Sequence, residues 1–191
     1  MVARRWVMLA LAWAGLSTVP AEAVPPPTPG DMAGCATSTF VVDAAVCADP
    51  ALRAADDRLH AFLRSKGALL DRPPPFIEPQ AQWFARRNAC ARARDQQPCL
   101  RDAYAERMAL LDMMEAAPAP TRTLGCPKPL ADTAQAAVGP GRVVLIDAGG
   151  QVIAVAPSAS PRSSWRPFVQ AELRGAEVRL RRVDGARLRC R

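Results

Sequence analysis

Residues 76–115 read FIEPQAQWFARRNACARARDQQPCLRDAYAERMALLDMME, and this stretch decides the fold of the first half of the chain. Gln80, Trp83, Arg87 and Cys90 recur at the spacing of one helical face, as do Leu100, Tyr104, Arg107 and Leu111. The spacing predicts two antiparallel helices. The loop between them, Ala91–Pro98, is polar and ends on a proline, which suits the first turn of a helix because it has no N–H to leave unpaired. Cys90 and Cys99 then sit at facing ends of the pair, so a bridge between them would lock the hairpin.

Upstream, Asp49-Pro50 is a helix start: the carboxylate can cap free N–H groups, and proline fits the first helical position. The helix is expected to run to about Lys66, burying Leu52, Ala55, Leu59, Phe62 and Leu63, with Gly67 as its stop. Cys35–Val46 holds a short apolar segment. Asp71–Pro79, with three consecutive prolines, reads as a rigid connector. At the start of the chain, Arg4 and Arg5, the apolar run Trp6–Leu16 and Ala21-Glu22-Ala23 make residues 1–23 a secretory signal, cleaved after Ala23. The apolar run is too short to span a bilayer, so the mature chain is expected to have no transmembrane segment. Residues 24–34 are a proline-rich tether. Met32-Ala33-Gly34-Cys35 resembles a lipoprotein processing site, but a polar stretch separates it from the apolar run.

Downstream, Ala117-Pro118-Ala119-Pro120 marks a linker over 117–125, which ends a helical domain of residues 35–116. The pattern then changes. Arg142–Asp147 and Gln151–Ala156 are β-rich and joined through Ala148-Gly149-Gly150, and Glu177–Val183 and Ala186–Arg191 form a second hairpin. Residues 126–191 therefore read as a small β module, and the chain as α+β. A three-residue loop, Val183-Asp184-Gly185, with Gly185 in the left-handed region, puts Leu180 opposite Leu188 and Val178 opposite Cys190 on an inner face. The outer face then carries Arg179 opposite Arg189 and Arg181 opposite Arg187.

Six cysteines in an exported chain argue for disulfides; short-range stapling predicts Cys35–Cys47 and Cys90–Cys99, with Cys35–Cys90 or Cys47–Cys99 as the alternative in which the first pair reaches the hairpin, and the linker sets Cys126–Cys190 apart as the third. No C-x-x-C pair exists and His60 is the one histidine, so no metal site is expected. Charge is uneven. Residues 24–117 hold 11 Lys/Arg and 12 Asp/Glu, a net of −1, whereas residues 118–191 hold 12 and 5, a net of +7. No nucleophile elbow, phosphate-binding glycine loop or unpaired cysteine is present, so the sequence supports no enzyme and no cofactor.

Cys35, Asp43, Val46-Cys47-Ala48-Asp49-Pro50, Leu52, Asp56 and Leu59, followed by Gln80, Trp83, Arg87, Cys90, Cys99-Leu100, Tyr104, Arg107 and Leu111, resemble the lysozyme-inhibitor LprI-like N-terminal domain family over residues 35–111. Leu63, where that family has tyrosine, and the proline-rich connector depart from its pattern. The resemblance implies a disulfide-linked helical domain in the periplasm or outside the cell, with Gln80, Trp83, Arg87, Tyr104 and Arg107 as structural motif residues. It also implies a partner: a lysozyme or another envelope protein. Residues 126–191 are similar to the MliC/PliC lysozyme inhibitors only in size and flanking cysteines, and lack a clear Ser-Gly-x-x-Tyr motif.

Trp83 and Tyr104 fall on apolar stripes and read as core residues rather than ligand-stacking ones. Arg87 and Arg107 read as exposed residues that cross the hairpin to acids such as Asp102, Glu106 or Asp112. Asp56 and Asp57 are neighbours on a helix and point apart, so they share no site. Arg179, Arg181, Arg187 and Arg189 are the candidate anion-binding residues, and lipopolysaccharide or phospholipid head groups are the candidate anionic partners. The module lacks interleaved aromatics, so nucleic acid is not expected.

Overall fold

The computed structural model describes residue 35 and residues 40–130, 133–157 and 161–191. The expected signal and tether lie outside the described residues. Among the described residues five α-helices precede seven β-strands, an α+β arrangement.

Helix α1 (Val41–Ala48) runs into α2 (Pro50–Lys66) through Asp49, whose carboxylate accepts from the N–H groups of Ala51 and Leu52 at 2.9 and 3.3 Å. Arg101 donates to the same carboxylate at 2.9 Å and holds it below the usual range. The helix stops before Gly67 as expected, but by a different device. Gly67 stays right-handed at φ −54°, and the chain turns at once into α3 (Ala68–Asp71). A Cβ here would lie 2.5 Å from the Leu63 carbonyl oxygen, so the close approach of backbone selects glycine. Helix α4 (Gln80–Ala89) ends in a 3₁₀ turn over Cys90–Arg92, and α5 (Gln96–Glu115) follows. The loop is thus shorter than Ala91–Pro98. Pro98 sits third in α5, inside the first turn, where its missing N–H still costs no helical bond.

Strands β1 (Arg122–Gly125), β2 (Thr133–Gly139), β3 (Arg142–Asp147) and β4 (Val152–Pro157) form one antiparallel sheet in that order. The linker expected over 117–125 therefore gives way to strand at Arg122. Strands β5 (Val169–Arg174), β6 (Glu177–Arg182) and β7 (Arg187–Cys190) form a second sheet. The two expected hairpins are present, and β1, β2 and β5 add to them. The sheets meet where Gly125 and Arg191 exchange backbone hydrogen bonds of 2.6 and 3.0 Å, beside the Cys126–Cys190 bridge. At the other end β4 lies beside β5. The β6–β7 register pairs Val178 with Cys190, Arg179 with Arg189, Leu180 with Leu188 and Arg181 with Arg187, the expected register. Gly185 takes φ +94°, which a side chain would resist.

All three disulfides form the expected pairs, Cys35–Cys47, Cys90–Cys99 and Cys126–Cys190. Strand β3 explains why its sequence is apolar without alternation. Val144 and Ile146 belong to the core that also holds Leu59, Trp83, Tyr104 and Leu111 of the helices, while Val143 and Leu145 belong to the core between the sheets. A strand covered on both faces reads as a continuous apolar run. Burying each of these four side chains contributes about 1.5–3 kcal/mol. The connector splits in the same way: Phe76 enters the core between the sheets and bridges to Ala154, and its neighbour Ile77 enters the helical core.

Candidate functional site

Three polar clusters could carry function. The first is inside the helices. Trp83 and Tyr104 pack edge to face, with ring centroids 5.3 Å apart, and Trp83 Nε1 donates to the Ala103 carbonyl at 3.2 Å. The Tyr104 hydroxyl donates to Asp56 Oδ1 at 2.6 Å, and burial raises the pKa of both groups. Asp57 is exposed on the other side of α2, so the two acids share no site. His60, half-buried one turn after Asp56, has Nε2 3.7 Å from that carboxylate.

Arg87 and Arg107 are not surface residues. They are 0% and 1% exposed, and their partners are not Asp102, Glu106 or Asp112. Arg87 Nη1 donates to Asp43 of α1 at 3.0 Å and to Asn88 at 2.8 Å, and its guanidinium lies 5.3 Å from the Phe84 ring centroid. Arg107 donates from Nε and Nη2 to Gln80 Oε1 at 3.1 and 2.5 Å and from Nη1 to the Glu78 carbonyl at 2.9 Å. Burial lowers Arg107 to about 10. A buried cation is tolerated only when such acceptors surround it. Gln80, Trp83, Tyr104 and Arg107 thus satisfy one another or nearby acceptors inside the core, whereas Arg87 bonds through Nη1 and its buried Nε and Nη2 have no hydrogen-bond partner among the described residues. Of the acids expected to pair with the arginines, Asp112 binds Arg58 at 2.7 Å instead.

The second cluster joins helices to sheets. Glu106 accepts from Trp165 Nε1 at 2.5 Å and from the Phe168 N–H at 2.7 Å, and Asp95 accepts from the Ser164 N–H and hydroxyl at 2.7 and 2.5 Å. Arg86 stacks 4.3 Å from the Trp165 ring centroid, pairs with Glu78 at 2.6 Å and donates to the Arg166 carbonyl. Burial pushes Glu78 up to about 7 and raises Glu106. A cavity of about 390 Å³ lies under this segment, lined mainly by apolar groups such as Ile77, Met108, Trp165 and Phe168. Sequence reasoning missed Glu106 as the anchor. Its signal was faint: an acid on the face of α5 that also presents Ala105 and Ala109, opposite a lone tryptophan far along the chain.

The third cluster is the outer face of β5, β6 and β7. Pairing places Gln170, Arg181 and Arg187 in one row across the sheet and Glu172, Arg179 and Arg189 in the next. The face bounds an open depression of about 540 Å³. The rows differ in charge balance. Glu177 pairs with Arg179, with Arg189 at 3.2 Å and with Arg191 at 3.2 Å, and the hydrogen bond from Arg179 leads in holding its carboxyl below the usual range. Arg181 instead donates to the neutral Gln170 at 2.6 Å. Among the described residues, neither Arg181 nor Arg187 has a carboxylate within ion-pair distance, and both are exposed. Among those residues there is also no cluster of His, Cys, Asp and Glu able to hold a metal, and no helix is long and apolar enough to cross a membrane.

A disulfide in each helical turn region, a third closing the strands and an interior network of hydrogen-bonded buried arginines define a disulfide-stapled α+β protein. The chain is 30% identical over 197 aligned residues to Lipoprotein LprI of Mycobacterium tuberculosis and to Lipoprotein LprI of Mycobacterium bovis, with 98% of each chain covered. It belongs to the LprI family. No protein-family model and no solved structure matches it. Although those relatives are lipoproteins by name, the Cys35 sulfur here is bonded to Cys47, so in this state it is not free to carry a lipid.

Proposed function

We propose that this chain is an exported envelope protein of the lysozyme-inhibitor type, which binds a partner and covers part of its surface without chemistry of its own. The carrying observation is the full-length relation to Lipoprotein LprI, which takes in the strands as well as the helical motif. The interior supports the reading: Arg87, Arg107, Asp56 and Tyr104 hold one another or fixed acceptors, so their role is to brace the scaffold. Export fits the three disulfides, which persist in oxidising compartments. The partner is a lysozyme or a similar envelope hydrolase. The excess of +7 over residues 118–191 opposes long-range approach to a cationic lysozyme, so any inhibition should strengthen with salt against such a partner and weaken with salt against an acidic one. The test is the clearing of a cell-wall suspension by several lysozyme types, with and without the purified protein. Slowed clearing with at least one type is expected. No slowing by any type at large molar excess would sink the reading.

A further inference from the structure

We propose that the Gln170–Arg181–Arg187 row on the outer face of β5, β6 and β7 is an anion site that seats the phosphate groups of an anionic phospholipid surface. The inference does not rest on the lysozyme reading and survives its failure.

The sheet sets the geometry. Arg181 and Arg187 are directly paired on neighbouring antiparallel strands, so their Cα atoms are about 5 Å apart and their side chains rise on the same face. Like charges so placed repel, and neighbouring carboxylates commonly relieve the repulsion. In the adjacent row Glu177 does this for Arg179 and Arg189. In the Arg181–Arg187 row Arg181 donates to the amide of Gln170, which orients it and leaves its charge in place, and among the described residues no carboxylate lies within ion-pair distance of either arginine. Two cations held together without a counter-charge form a site for a doubly accepting oxyanion, and the planar guanidinium fork matches phosphate.

The composition of the face selects the kind of partner. Stable protein interfaces bury an apolar or aromatic centre inside a polar rim. The side chains that stand out on these two rows, Gln170, Glu172, Arg179, Arg181, Arg187 and Arg189, are all polar. Base-stacking aromatics are absent from both rows as well, which disfavours single-stranded nucleic acid. A polar, cationic face with no apolar anchor fits a head-group layer, which it touches without insertion.

Cosedimentation of the purified protein with vesicles tests this. One set contains phosphatidylglycerol and phosphatidylcholine, the other phosphatidylcholine alone. Binding is expected to the first set only and should fall steeply as salt rises. Arg187→Gln should weaken it about fivefold, and Arg181→Gln with Arg187→Gln about twenty-fivefold, at roughly fivefold per arginine near an anionic surface. Arg179→Gln with Arg189→Gln removes the same charge from the neutralised row and should weaken binding less than fivefold. Unchanged far-ultraviolet circular dichroism would show that each variant is folded. Equal losses from the two pairs would mean diffuse charge rather than a site and would overturn the proposal. So would absence of binding to phosphatidylglycerol, or retention on an immobilised acidic protein with no vesicle binding.

Discussion

Arg87 and Arg107 lie within the helices with almost no exposure, while Arg181 and Arg187 stand on the outer face of the β5–β6–β7 sheet in solvent. The same side chain is structural in one half and available in the other. What separates them is the supply of acceptors. Helical packing brings Asp43, Gln80 and the Glu78 carbonyl to the two buried guanidinium groups from other parts of the chain. On the outer sheet face Glu177 is shared by three arginines and Glu172 pairs with Arg174, which leaves Arg181 and Arg187 without a carboxylate among the described residues. Arginine can therefore be read from a sequence as a charge, but whether that charge is used inside or outside depends on what the fold delivers to it.

The sharpest way to break this contrast is to truncate one arginine from each side. Arg87→Ala leaves the Asp43 carboxylate, 1% exposed, facing a cavity, and should cost about 3–5 kcal/mol in urea unfolding. Arg187→Ala, read by the same measurement, should change stability by less than about 0.5 kcal/mol. If the two costs match, the division between structural and available arginines fails. Next in size are the staples. Replacing Cys126 and Cys190 by alanine opens a loop with a sequence separation of 64 and should cost about 4 kcal/mol, whereas the Cys90–Cys99 pair, separated by 9, should cost about 3. A larger loss from the second pair would show that the helical hairpin depends on its bridge beyond chain entropy.

The smallest effect concerns Glu78, at the joint. Its pKa is raised from 4.5 to about 7 by burial, so the folded state favours the neutral acid. The stability that this preference contributes is complete below about pH 4.5 and is lost as pH rises through about 7. Glu78→Gln cannot ionise. Between about pH 4.5 and about pH 8 it should lose roughly 1–2 kcal/mol less stability than the wild type, part of the gain being offset by the lost pair with Arg86. Thermal melts at the two pH values measure the difference, and identical pH dependence would remove the buried acid from the account.

Local rules carried the reading wherever the structure is local. Asp49-Pro50 caps α2, Trp83 and Tyr104 are core, the three bridges close short or bracketing loops, and a Gly185 turn sets the β6–β7 register. Strands β2 and β5 were harder. TAQAAVG is rich in alanine and VQAELR contains strong helix formers, and neighbouring strands override both preferences. The arginine partners show the limit most clearly. Asp43, Gln80, Arg87 and Arg107 were all recognisable as motif positions, yet the sequence does not say that Asp43 belongs to Arg87 or Gln80 to Arg107. Those pairings arise only when α1, α4 and α5 converge, and a spacing argument along single helices cannot reach them. The arginine face was legible as a ribbon of four, but its division into a neutralised and an open row required β5 and the position of Glu177.

Phe76 and Ile77 are neighbours in the chain, yet they enter different cores, and Phe76 bridges to Ala154. This has a consequence for the order of assembly. A ribosome or an export channel releases the N-terminus first, so the helices can gather around Ile77 while Phe76 still lacks its neighbours. Its place does not exist until β4 has emerged, a long-range contact of the kind that slows folding. Through that interval an apolar ring stays in water directly after three prolines, Pro73, Pro74 and Pro75, which limit the conformations the connector can take. The helices thus gather early, and the connector is sealed only when nearly the whole chain has been delivered.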